Sequence, residues 1–183
     1  VAFVTPSYRG DLERCRLLCE STQRFLPDGV EHLLLIDRRD LSAFRPLEKG
    51  PIRIVVGESL MPWWIFRLPG VGRWWASLAT PPVRNWIYQQ LLKLASVHAT
   101  DADVLQFVDS DVTLIRPFPL DYLIRDGRVR LQRVTYQDAE HQQWLRVAAG
   151  LLGLDAGDVP EGSYVGNLIT WTLVLALTAF AGW

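Results

Sequence analysis

Val104-Leu105-Gln106-Phe107-Val108-Asp109-Ser110-Asp111 is the stretch on which the fold of this chain turns. An almost wholly apolar run gives way, with no spacer, to two carboxylates one residue apart. A run that is apolar on both of its alternating faces is the pattern of a strand covered on both sides. In sheets of that kind ligands bind beyond the carboxyl ends of the strands. At least one of the two carboxylates therefore leaves the sheet where a ligand would sit. Asp-x-Asp by itself is a common pair, and the alternative is a strand-end turn whose carboxylates cap nearby amides. Carboxylates this close repel unless a cation lies between them. Hard divalent ions such as Mg²⁺ or Mn²⁺ prefer oxygen ligands and substrate phosphates.

Working outward, residues 1–5 (Val-Ala-Phe-Val-Thr) form a first buried strand that Pro6 is expected to end. Leu12, Cys15, Leu18, Cys19, Thr22 and Phe25 recur at helical spacing, and Pro27-Asp28-Gly29 stops the pattern. Residues 31–37 are a second apolar run that ends on Asp37, and 52–56 a third. Pro81-Pro82 opens a helix over 83–98, with Trp86, Ile87, Gln90, Leu91 and Leu94 on one side. Beyond residue 111 the pattern predicts a strand over 129–135, a helix over 138–152 and a strand over 164–171. Apolar strands separated by helices predict an α/β fold, a mostly parallel sheet sandwiched by helices. The expectation is a single domain over 1–183, with a Trp/Arg-rich insertion loop at 61–82 and an apolar tail at 172–183.

Composition sets the remaining bounds. The chain has 183 residues, 49% hydrophobic and 21% charged, with a net charge of -1. That excludes a disordered chain and a protein that coats nucleic acid. Cys15 and Cys19, four residues apart on a helix, face the same way in a geometry that rarely closes a disulfide. Read as reduced core thiols, they fit a reducing, cytoplasmic compartment. The start at Val1, close to mid-strand, and the stop at Trp183, inside an apolar run, read as a piece of something longer, truncated at its C-terminal side.

Taken together, Thr5-Pro6-Ser7-Tyr8, Asp37, Gln89-Gln90-Leu91-Leu92-Lys93 and Phe107-Val108-Asp109-Ser110-Asp111-Val112 resemble the nucleotide-sugar-binding half of GT-A glycosyltransferases, which have a Rossmann-like sheet. The chain is more closely similar to a bacterial family of unknown function related to them, over residues 1 to about 171. The resemblance implies that Thr5, Pro6 and Tyr8 line the base and ribose and that Asp37 accepts a hydrogen bond from either. It implies that Asp109, with Ser110 beside it, serves the ribose, and that Asp109 and Asp111 serve a Mn²⁺ or Mg²⁺ on the diphosphate. It places Gly166 and Asn167 nearest the donor sugar.

Each position also has a plainer reading. Tyr8 stacks on a base or simply packs at a strand end, and Asp37 binds donor or pairs with Arg38 or Arg39. Lys93, one of two lysines, reaches a phosphate as a point charge or sits solvated on its helix. Asp138 and Glu161 read as helix-start or loop carboxylates, so no catalytic base is assigned.

Gly162 to Trp183 carries no charge and is long enough by count to span a bilayer, but its polar residues favour a strand followed by a truncated core helix. Trp63, Trp64, Trp74, Trp75 and Trp86 are interleaved with Arg67, Arg73 and Arg84. That mixture suits either a satellite hydrophobic cluster or a sugar-stacking or peripheral membrane surface at the inner face of the membrane. The expected function is metal-dependent transfer of a sugar from a nucleoside diphosphate donor to a glycan or lipid-linked acceptor. The alternatives are a non-catalytic donor-binding fragment that lacks its acceptor half and a Trp-rich membrane-associated module.

Overall fold

The computed structural model describes residues 1–68, 70, 74–130, 133–135, 139–155, 163–165 and 170–174. In chain order the elements are β1 (Ala2–Ser7), α1 (Leu12–Phe25), β2 (Glu31–Ile36), α2 (Leu41–Phe44), β3 (Ile52–Val56), β4 (Ile65–Phe66), β5 (Trp74–Ser77) and β6 (Val83–Arg84). They continue with α3 (Asn85–Ala95), β7 (Val104–Val108), β8 (Ile124–Arg125), β9 (Arg128–Val129), β10 (Arg133–Thr135), α4 (Ala139–Leu151), β11 (Ser163–Val165) and β12 (Thr170–Val174). Short 3₁₀ turns follow β1, β2 and β3. The elements fall into two compact units, Val1–Tyr122 with Ile169–Trp183, and Leu123–Leu168.

The first unit is built on a five-stranded sheet in the order β12-β7-β1-β2-β3. β7, β1, β2 and β3 are parallel, and β12 adds an antiparallel edge. The side-chain period of two explains why the strands are apolar throughout. In β2, Leu33 and Leu35 enter one core with Trp75, Tyr88 and Leu92, whereas Leu34 and Ile36 enter another with Cys15, Cys19 and Phe44. The sheet is therefore sandwiched, as expected. Cys15 and Cys19 are buried free thiols, and both their mutual hydrogen bond and burial push the Cys19 thiol up.

Several expectations change in the structure. β1 does not stop at Pro6 but runs to Ser7, paired with β2 through Ser7↔Ile36. Pairing with β7 ends at Val4, so beyond it that side of β1 is an edge, where a missing N–H is tolerated. The buried face of α3 is Tyr88, Leu92 and Lys93, while Trp86, Ile87 and Leu94 are exposed. Apolar residues cover most of the circumference of this helix, leaving only the Asn85, Gln89 and Lys93 arc and Gln90 polar, so periodicity alone does not choose the buried side.

Residues 61–82 are not loop throughout. β4 and β5, with β6 immediately after, form an antiparallel three-stranded meander. The expected strand over 164–171 is two strands in different sheets: β11 pairs with β10 in the second unit, and β12 pairs with β7. Residues 170–174 are thus an edge strand and not the start of a helix, in keeping with the β-branched residues Thr170, Thr172 and Val174.

The second unit contains the β8–β9 hairpin, the β10–β11 pair and α4. The expected strand over 129–135 divides here, because Val129 is taken by the hairpin. Asp126 and Gly127 have φ of 52° and 69°, the positive values that a two-residue type I′ turn requires. That turn fixes Arg125 opposite Arg128 and Ile124 opposite Val129.

Candidate functional site

A cleft of about 280 Å³ opens at the carboxyl ends of β1 and β2. Its floor and walls come from Pro6, Ser7 and Tyr8 after β1, Leu35 and Asp37 of the β2 end, Arg39, Arg67, and Asn85, Tyr88, Gln89 and Leu92 of α3. The position follows from topology. β1 lies between β2 and β7, so the chain leaves β1 in one direction and returns on its other side, which is where doubly wound sheets open.

The loops that rim the crevice are tied to one another. The Arg9 amide donates to Asp40 Oδ2 at 3.0 Å, and the Arg38 amide donates to the two Glu58 carboxylate oxygens at 2.9 and 3.1 Å. Ser110 Oγ donates to Asp11 Oδ2 at 3.3 Å, which joins the turn after β7 to the start of α1. Asp40 and Glu58 act here on loop backbones, so the strand-end geometry rests on carboxylates that no motif had singled out.

Asp37 is the most constrained acid in the cleft. Arg67 donates to its Oδ2 at 2.7 Å, and Arg39 Nε lies 3.7 Å away. Burial pushes the Asp37 carboxyl up, and the Arg67 guanidinium pulls it back. Arg67 also lies over the Trp75 ring at 4.3 Å, and Trp75 stacks on Tyr88 with ring centroids 3.6 Å apart and planes 11° from parallel. One column thus runs from Asp37 through Arg67 and Trp75 to Tyr88. Burial also pushes the Tyr88 phenol above its usual value, with the charges of Asp37 and Glu58 adding to it.

Of the residues expected from sequence, Pro6, Tyr8 and Asp37 line the cleft. Tyr8 is 44% exposed, so part of its ring is accessible. The Thr5 side chain points elsewhere: its hydroxyl lies 2.9 Å from His32 Nε2 in the interior, leaving the strand backbone as its only approach to the crevice.

Lys93 is neither solvated nor unpaired. It is buried one turn beyond Gln89, and its Nζ donates to Asp109 Oδ1 at 3.0 Å. The side chain of Asp109 is half exposed and Asp111 is exposed. Gly166, Asn167, Asp138 and Glu161 lie outside the described residues.

Among the described residues, no three His, Cys, Asp or Glu side chains converge as a ready-made metal cluster. Mg²⁺-type ions are commonly held by one or two carboxylates plus substrate phosphates and waters, so the oxygen donors of Asp109 and Asp111 fit such an ion. Arg67, Asn85 and Tyr88 escaped the sequence reading, which treated their region as a loop and a differently facing helix. The Trp/Arg interleaving was the one available signal. Trp75 is fully buried and Trp64 packs against the same core, which corrects the expectation that these two rings face a membrane. Among the described residues no helix is long and apolar enough to cross a membrane.

Comparison with solved structures places the fold. The chain is similar to mouse xyloside xylosyltransferase 1 in its apo form, with a TM-score of 0.50 and 12% identity over 95% of this chain and 67% of that one. It is also similar to an active-site mutant of LgtC, with a TM-score of 0.48 and 17% identity over 96% of this chain. A third similar structure is the galactosyltransferase LgtC with donor and acceptor sugar analogs, at a TM-score of 0.44 and 15% identity. The chain spans 57% of the length of the LgtC mutant chain. The likeness to the xylosyltransferase is one of fold alone, and the fold is that of the GT-A glycosyltransferases. Comparison with curated proteins finds no match. One family model matches residues 3–177, nearly the whole chain: the chain belongs to the family of unknown function DUF6492.

Proposed function

We propose that the crevice binds the nucleoside diphosphate of an activated sugar, and that the chain is the donor-binding part of a divalent-metal-dependent glycosyltransferase. One observation carries this reading. Helix α3 lines the cleft with Gln89 and, one turn later, carries the lysine that grips Asp109; Lys93 and the Asp-Ser-Asp turn are not themselves part of the cleft lining, and the shared helix supports reading the two as one site. The exposed Tyr8 ring offers a stacking surface for a base. Asp37, its charge held by Arg67, accepts a hydrogen bond from a base N–H or a ribose hydroxyl. Lys93 supplies a fixed positive charge beside Asp109, where the diphosphate would lie.

A Mg²⁺ or Mn²⁺ held by Asp109 and Asp111 would neutralise negative charge on the departing diphosphate. The sugar would pass through an oxocarbenium-like state to a glycan or lipid-linked acceptor. The GT-A fold supports this reading but does not choose the chemistry, because one fold hosts many functions.

Thermal shift with a panel of nucleoside diphosphate sugars, with and without Mn²⁺, tests it. A bound donor at about 100 times its Kd stabilises by about 2.7 kcal/mol, a rise of several degrees in Tm. The rise is expected for a subset of donors and only with Mn²⁺. A panel with no effect under either condition would overturn the proposal. Stabilisation without hydrolysis or transfer would assign the chain to donor binding alone.

A further inference from the structure

The outer face of the meander is left unused by the donor site. Register and burial define it together. Phe66 is opposite Ala76 and Trp74 is opposite Arg84, and the strand alternation puts Trp74, Ala76 and Leu78 on the same side. Ile65 and Trp75, which alternate with them, are buried in the core. Leu78 is 67% exposed, and Phe66 and Trp74 are exposed as well. At its ends stand Trp63, 81% exposed, and Trp86, 67% exposed in the first turn of α3. Arg84 lies over the Trp74 ring at 5.2 Å.

Arg84 gives this face its positive charge, since Arg67 and Lys93 are turned inward onto Asp37 and Asp109. Between Glu58 and Asp101 the sequence has no acidic residue to offset it. Large apolar side chains gathered on one face mark an interaction surface. Tryptophan with arginine and no carboxylate is the chemistry of the bilayer interface, where the indole sits at headgroup level and the guanidinium meets anionic lipid. Two of the expected lipid-facing rings, Trp64 and Trp75, serve the core instead. Trp63, Trp74 and Trp86 remain for the surface.

We propose that the outer face of β4, β5 and β6, flanked by Trp63 and Trp86, docks on an anionic lipid interface. The proposal stands independently of the donor reading.

Flotation with vesicles of phosphatidylcholine and phosphatidylglycerol at about 7:3, against phosphatidylcholine alone, tests it. The wild-type chain is expected to float with the anionic vesicles and at least tenfold less with the neutral ones. Trp63→Ser/Trp74→Ser/Trp86→Ser should lose flotation, and Arg84→Glu should lose the preference for anionic lipid, with near-UV circular dichroism and Tm confirming that both variants fold. A wild type that stays at the bottom with both vesicles overturns the proposal, as does a folded triple variant that floats unchanged. Should the face instead hold oligosaccharide, or a second copy of the chain in sedimentation, without vesicle binding, the lipid assignment fails.

Discussion

Arg67 and Asp37 meet at 2.7 Å in the cleft, although they follow strands of different sheets, β4 and β2, and are thirty residues apart in the chain. Both side chains are largely buried, so each leaves a charge without its main counterion when the other is removed. Arg67→Met is expected to destabilise the protein by about 2 kcal/mol, the range for losing a hydrogen bond to a charged group. The double variant Arg67→Met/Asp37→Asn should recover part of that loss, because no carboxylate is then left without its closest counterion. Urea denaturation of the three variants measures the coupling, and strictly additive effects would show that the pair does not act as one.

The tryptophans should separate into two classes. Trp75 is fully buried between Arg67 and Tyr88, so Trp75→Ala is expected to lose about 3–5 kcal/mol. Trp63→Ala, at an exposed position, should stay within about 0.5 kcal/mol of wild type. Equal effects in denaturant titrations would contradict the placement of the two rings.

Asp111 is predicted to matter for binding and not for stability. It is exposed, and no described hydrogen bond or ion pair holds its carboxylate among the described residues. Asp111→Ala should leave Tm within a degree or two while abolishing Mn²⁺-dependent donor affinity in calorimetry. Unchanged affinity would remove Asp111 from the metal site.

His32 makes stability pH-dependent. Its two ring nitrogens lie 2.9 Å from Thr5 Oγ1 and 3.0 Å from Thr22 Oγ1, and complete burial lowers its pKa from 6.5 to about 4. Between those values the unfolded chain binds the extra proton, so the contribution is fully present above pH 6.5 and disappears as pH falls through 4. Its size is about 3 kcal/mol. Asp37, shifted upward by burial, works in the opposite sense. His32→Gln should flatten the dependence of unfolding free energy on pH between 4 and 6.5. A slope as steep as that of wild type would assign the effect to other groups.

Much of the fold was legible in order along the chain. Apolar runs such as 31–36 and 104–108 are hydrophobic on both faces, and that property alone demands cover on both sides and hence a sandwiched sheet. The Asp-Ser-Asp turn was legible for the same reason, since it follows a strand directly. The meander escaped because β4 and β6 are two residues long each and gain their identity only by pairing with β5. Strand 164–171 was misread because an apolar run does not say which sheet it joins. The Asp126-Gly127 hairpin carries a local signal, the Asp-Gly pair that a two-residue type I′ turn favours.

By itself, then, the sequence determined the parallel core, the helices between its strands and the site of the paired aspartates, because burial on two faces and helical spacing are local properties of the chain. Only the tertiary structure decided that Lys93 is buried against Asp109, that Arg67 closes on Asp37, that Thr5 turns inward to His32 and that Trp75 is core while Trp74 is surface. Each of these depends on which distant segment supplies the partner charge or ring, and no spacing along the chain encodes it.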